Sequence, residues 1–141
     1  MSVVFLPWPS HSLHPNARVH FMQKAKSTKK ARSDAIILAK QAGFERMGSS
    51  ALSVTAVFYP PDDRRRDQDG MLSSIKPYLD GISDVVGIDD SRWTITIRRE
   101  PKTPNGMVAI EIEANDEAWE QVGKPAARVL ANVQKPERGA A

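Results

Sequence analysis

Three arginines run directly into two carboxylates at Arg64-Arg65-Arg66-Asp67-Gln68-Asp69, and a second acidic pair closes the later stretch Gly87-Ile88-Asp89-Asp90. Arginine forks hold phosphate oxygens, and carboxylates hold hard divalent cations. Together they point to metal-dependent chemistry on a phosphate-bearing substrate. Asp67 and Asp69 point the same way if the loop is extended. Asp69 stands where a helix begins, and Asp90 stands after that helix. Three carboxylates so placed could bind Mg²⁺ or Mn²⁺ and leave positions open for water and phosphate, with Asp89 as a further ligand, an outer acceptor or a turn residue. A bound ion would lower the pKa of a water and neutralise charge at phosphorus. Lys76, two turns beyond Asp69, shares its helix face and could touch the backbone or a leaving oxygen. Ser73, one turn on, could orient water. Asp80 lies about three turns beyond Asp69, roughly 16 Å away in an unbroken helix, too far to share one ion. A plain structural account stands beside this one: Asp69 caps a helix, Asp89-Asp90 shapes a turn, and Lys76 is a surface residue.

The elements that must position these residues follow from periodicity. Ser2 to Leu6 reads as a strand stopped by Pro7 and Pro9, and His11 to His20 as a loop. Ser27 to Met47 reads as a helix with Ile36, Ile37, Phe44 and Met47 on its buried stripe, and Lys40 off pattern. Leu52 to Tyr59 alternates as a strand, with Leu52, Val54, Ala56 and Phe58 on one face. Asp69 to Asp84 reads as a second helix on the stripe Met71, Leu72, Ile75, Tyr78, Leu79 and Ile82, kinked or restarted at Pro77. Trp93 to Arg99 and Met107 to Ile112 read as strands joined into a hairpin by Pro101 to Gly106. Trp119, Val122, Ala126, Val129, Leu130 and Val133 suggest a short terminal helix interrupted at Gly123 to Pro125, before a frayed tail from Lys135. The expectation is an α+β, two-layer domain over residues 1–114, with a small mixed or antiparallel sheet and two principal helices. Residues 115–141 form an extension.

The 141 residues allow one compact domain rather than two. Cysteine is absent, which excludes disulfides, thiolate zinc sites and cysteine nucleophiles and suits a reducing compartment. No apolar run approaches a membrane span, and the start lacks the basic region of a signal peptide. The net charge is only +3, but the segment up to Gly48 carries Arg18, Lys24, Lys26, Lys29, Lys30, Arg32, Lys40 and Arg46 against Asp34 and Glu45. That skew suits a polyanion and equally suits a solvated helix surface.

The stretch RRRDQDGMLSSIKPYLDGISDVVGIDD resembles the core of the RusA family of Holliday junction resolvases, phage-type crossover junction endodeoxyribonucleases. Leu6-Pro7-Trp8-Pro9 and Pro15-Asn16-Ala17-Arg18 also look like that family, and the likeness runs from about Val3 to Ile112. The resemblance implies a metal-dependent homodimeric endonuclease that cuts four-way DNA junctions, in a bacterial cytoplasm and of phage or prophage origin. It puts the essential carboxylates on Asp67, Asp69 and Asp90, with Asp89 matching the acid before the last. Two departures stand out. Gly70 replaces the family's asparagine, and Ser73 stands where its lysine commonly falls, with Lys76 one turn further as the candidate replacement. Trp8, Asn16, Arg18, Lys24, Lys26, Lys29, Lys30, Arg64, Arg65 and Arg66 are the candidate DNA-facing residues, positioning phosphates rather than reading sequence. Trp8 equally suits core packing, and His11, His14 and His20 read as loop residues. The competing reading, motivated by Gly70, Ser73 and Pro77, is a catalytically weak, structure-selective DNA-binding protein.

Overall fold

The computed structural model describes residues 1–116. Four strands, β1 (Ser2–Pro7), β2 (Leu52–Tyr59), β3 (Trp93–Arg99) and β4 (Met107–Ala114), form one sheet in the order β1-β4-β2-β3. Helices α1 (Phe21–Gln41), α2 (Gln68–Ser74) and α3 (Lys76–Val86) complete a mixed α+β domain. Val4 and Leu6 of β1, Leu52 to Phe58 at alternate positions of β2, and Val108, Ile110 and Ile112 of β4 turn one sheet face to the helices in a single core. The other face leaves Phe5 and Val3 55% and 38% exposed.

The expected hairpin does not form. β4 enters between β1 and β2, antiparallel to both, while β3 lies on the far side of β2 and runs parallel to it. Composition explains the choice. Val108-Ala109-Ile110 is buried without a break, as suits an interior strand, whereas Thr94, Thr96, Arg98 and Arg99 suit an exposed edge. The connection therefore crosses the end of β2. The Glu100 N–H donates to Phe58 O at 2.9 Å and the Thr103 N–H to Pro60 O at 2.8 Å. Asn105 and Gly106 both take left-handed backbone, with φ of 67° and 68°. A Cβ on Gly106 would stand 2.9 Å from Pro61 Cδ and 3.0 Å from Trp8 Cβ, so only glycine passes here.

The first helix begins six residues earlier than Ser27, where the His20 Nδ1 accepts from the Met22 N–H at 3.1 Å, and ends at Gln41 rather than Met47. Its buried stripe is Ala31, Ala35 and Ala39, and Ile37 is 54% exposed. The reason is the neighbour. α1 packs on α3 so closely that a Cβ on Gly81 would meet Arg32 O at 2.7 Å and the Ala35 Cβ at 3.1 Å, a spacing that larger side chains forbid. The expected second helix is two. Ile75 leaves helical geometry at φ −104°, ψ 8°, and Pro77 then sits in the first turn of α3, where its missing N–H costs nothing. The proposed terminal helix and tail from Trp119 onward lie outside the described residues.

Among the described residues no helix is long and apolar enough to cross a membrane. Gly81→Val should force α1 and α3 apart and lower the unfolding free energy by about 1–3 kcal/mol, measured by urea denaturation. An unchanged midpoint would show that the two helices are not locked by this contact.

Candidate functional site

The segment joining β2 to β3 carries the candidate acidic residues, Lys76 and the three arginines. It leaves β2 through Pro60-Pro61, and Asp62 then organises the arginines. Its carboxylate accepts from the Arg64 N–H at 2.9 Å and from the Arg64 guanidinium at 3.1 and 3.2 Å, and it pairs with Arg66 at 2.9 Å. These contacts hold its pKa down at about 2, the Arg64 backbone N–H contributing most. Arg66 is thereby committed to the fold. Only 17% exposed, it also donates to the carbonyls of Asp62 and Arg64 and lies 5.3 Å from the centre of the Trp8 ring. Trp8 meets Phe58 edge to face at 6.0 Å, so it packs on the core as well as lining the site. Arg65 is exposed and makes no ion pair among the described residues.

A cavity of about 450 Å³ opens beside this loop, lined by Trp8, His14, Asn16, Arg65, Asp67 and Ser74, with Arg64, Arg66 and His11 on its wall. Two tethers hold that wall. The Ser12 Oγ donates to Ser27 Oγ at 2.6 Å, fixing the 3₁₀ turn His11–Leu13 to α1, and the Tyr78 hydroxyl donates to Pro7 O at 2.8 Å, fixing the chain before Trp8 to α3. Burial pushes the Tyr78 pKa up to about 12, so it remains a neutral donor. His11 and His14, read from sequence as loop residues, both border the cavity; His20 instead caps α1.

The acidic residues divide. Asp67 takes the N-cap position of α2 without a side-chain cap bond, and Asp69 lies exposed in the first turn. Asp89 caps the 3₁₀ turn Asp90–Arg92, its Oδ2 accepting from the Ser91 N–H at 3.0 Å; the Ser91 side chain first, and this backbone bond second, draw its pKa below the usual range. Asp90 is claimed by Lys76, whose ammonium also donates to Asp80 at 2.9 Å. These bonds, Asp90 first and Asp80 second, raise the Lys76 pKa. Sequence reasoning set Asp80 aside by its distance from Asp69, although the Lys76–Asp80 spacing of four residues is itself the signal for a pair. The Asp89–Asp90 turn is anchored behind by Ile88, whose carbonyl accepts from Ser83 Oγ at 2.9 Å and Trp93 Nε1 at 3.0 Å.

Asp67, Asp69, Asp89 and Asp90 supply the oxygen donors that Mg²⁺ prefers. Among the described residues, however, no three histidine, aspartate or glutamate side chains converge to hold a metal ion. The expected three-carboxylate cluster is thus not assembled in this arrangement, and Lys76 supplies the cation at Asp90.

The basic helix adds a second surface. Lys30 pairs with Asp34 and Arg32 with Asp84, each at 2.7 Å. Lys24, Lys26 and Lys29 are exposed and make no ion pair among the described residues; Arg18 and Asn16 are exposed on the loop before the helix. The Ser12–Ser27 bond ties the early part of α1 to the 3₁₀ turn whose His11 borders the cavity.

No family model matches the chain. A relative, an uncharacterized protein of Xylella fastidiosa (strain Temecula1), is 44% identical over 96 residues, covering 66% of this chain and 63% of the relative. The chain thus matches less than two thirds of that protein's length.

The Asp62 carboxylate has its pKa lowered from 3.8 to about 2, so its contribution to stability is complete above pH 3.8 and is lost as the pH falls through about 2. Asp62→Asn should therefore flatten the fall of stability between those pH values, read by thermal melts across an acid series. A variant that follows the wild-type acid profile would remove Asp62 as the organiser of the arginine loop.

Proposed function

We propose that the protein is a structure-selective endonuclease of branched DNA, hydrolysing phosphodiesters at four-way junctions. One observation carries the reading: a cavity is lined both by Arg65, which makes no ion pair among the described residues, and by the carboxylate-bearing Asp67. A phosphate oxygen paired with Arg65 would lie along the wall that bears Asp67. The exposed carboxylate of Asp69, one α2 position from Gly70, would help orient water. Lys24, Lys26 and Lys29 would carry the neighbouring backbone phosphates without reading bases. Arg64 and Arg66, tied to Asp62, hold the loop shape that presents Arg65.

Mg²⁺, with Mn²⁺ as substitute, belongs to the proposal through the resemblance and the oxygen-donor chemistry of the aspartates. The homodimer, with two related sites cutting opposed strands, belongs to it through the resemblance alone. The uncoupled state of the carboxylates favours a second reading, a junction-binding protein with weak or no cleavage, because Asp90 is neutralised by Lys76 rather than grouped with Asp67 and Asp69.

Cleavage of a labelled synthetic four-way junction, beside a matched linear duplex, separates the two. Wild type in Mg²⁺ should give paired cuts in the junction, abolished by EDTA and reduced by at least about 100-fold in Asp69→Asn, with an unchanged melting temperature. Tight junction binding without cuts at any Mg²⁺ or Mn²⁺ concentration would establish the binding module instead. Failure of the folded protein to bind any DNA at low salt would remove both.

Salt dependence tests the α1 surface independently. Removing Lys26 and Lys29 together should reduce the slope of log affinity against log salt by about 2, uniformly across junction sequences. An unaltered slope would move the phosphate track away from this helix.

A further inference from the structure

We propose that Phe21 and Met22, at the exposed start of α1, form an apolar wedge that stacks on an unpaired base where the arms of a branched DNA meet. This role rests on the branched-DNA reading above and names the part of the substrate that the basic helix recognises.

Three observations converge. First, the two largest apolar side chains at the start of α1 are given to solvent. Phe21 is 75% and Met22 64% exposed, and neither packs against the core. Second, the Phe21 ring is held although nothing buries it. The His20 Nδ1 accepts from the Met22 N–H at 3.1 Å, which fixes the imidazole. The Phe21 ring stacks on that imidazole, with centroids 4.6 Å apart and planes 29° apart. A ring braced in this way loses little freedom when another flat π-system arrives. Third, the surroundings are cationic. Met1 to Ser33 contains no aspartate or glutamate. Arg18, Lys24 and Lys26 are exposed around the pair and make no ion pair among the described residues.

An aromatic ring set among unpaired cations matches a base set among phosphates. Phenylalanine and methionine enter between base steps and unstack them, most cheaply where pairing is already incomplete. A branch point supplies such bases and an uninterrupted duplex does not. A bilayer surface would instead ask for an apolar stripe along the helix. The positions three, four, seven and eight beyond Phe21 are Lys24, Ala25, Thr28 and Lys29, so the apolar patch ends within its first turn. Ser27, tied to the 3₁₀ turn that borders the cavity, lies six positions beyond Phe21, roughly 9 Å along the helix. The wedge is thus carried on the same helix that braces the cavity wall.

The test measures binding of the full-length protein to a four-way junction and to a matched linear duplex, in EDTA so that nothing is cut. Phe21→Ala should weaken junction binding by about 5- to 100-fold, leave duplex binding within about twofold and leave the melting temperature unchanged. Phe21→Trp keeps a stacking face and should bind the junction within about threefold of wild type. Permanganate oxidises unstacked thymines. Those at the branch point should react faster with wild type bound than in the free junction, and no faster with Phe21→Ala bound. Junction binding by Phe21→Ala at the wild-type affinity overturns the proposal, and so does an equal loss on junction and duplex. Loss of an oligomer in Phe21→Ala, seen by sedimentation, would give the patch to a second copy of this chain. Loss of binding to phosphatidylserine vesicles with junction binding intact would give it to a membrane. Either result overturns the proposal. Wild type that binds junctions without cutting them in Mg²⁺ removes the endonuclease reading and leaves the wedge to stand on the affinity difference. Wild type that binds no DNA removes both.

Discussion

The structure depends on one topological constraint: β2 and β3 are parallel neighbours, so the chain leaving the end of β2 must travel the length of the sheet before β3 can begin. The crossover that makes this journey is α2 and α3, and it carries Arg64 to Arg66, Asp67, Asp69, Lys76, Asp80 and the Asp89–Asp90 turn. A hairpin would have needed only a short loop and no such segment. The parallel pairing thus creates the length of chain on which charged residues far apart in sequence can return to one another, as Lys76 and Asp90 do across fourteen positions.

Rigidity is then supplied from below. Gly81 lets α3 settle against the alanine stripe of α1, and Tyr78 on the same helix grips the end of β1. The residue after that grip is Trp8, which packs on Phe58 and lies against Arg66. A small-residue helix contact, a buried phenol and a cation over an indole ring therefore form a continuous chain of contacts from the core to the cavity. Each is modest alone. The charged contacts are mostly solvent-accessible and screened, so the core carries the stability and the ion pairs carry orientation.

How much of this was legible in the sequence depends on the range of the signal. β2 was, because its alternation is local and its inward residues Leu52, Val54, Ala56 and Phe58 are all buried. The break near Pro77 was, because a proline's missing N–H is a local fact. The partnership of β3 and β4 was misread because the short loop Pro101 to Gly106 looks like a hairpin connection, whereas its turn at Asn105-Gly106 carries the chain across the end of β2. Strand order was set by which strand could tolerate burial on both sides. The first helix was legible in part: Phe44 is buried and Ile36 and Met47 pack against the core as expected, but Ile37 is exposed, and the face that must approach α3 closely buries alanine instead. The approach of His14 to Gly70 of α2 had no sequence signal, since nothing in the loop indicates which histidine returns to that helix.

The arrangement of charge bears on which function this scaffold can support. Lys76 is raised in pKa by Asp90 and Asp80, so it stays cationic wherever those carboxylates are ionised. An ammonium so placed neutralises the last acid of the candidate set while leaving Asp67 and Asp69 on the far side of the α2–α3 break. Bringing Asp90 into one group with them would require Lys76 to give up one of its two carboxylates, and Asp80 is there to keep it. That exchange costs little, because all three groups are partly solvated and the lysine loses one of two acceptors rather than its only one. The Ile75 break lies between the two halves, where a single non-helical residue already separates two short helices. Such a joint can absorb a small change of angle without disturbing the Gly81 contact that anchors α3. Lys76 is therefore the residue that sets the charge at Asp90, which it pairs together with Asp80.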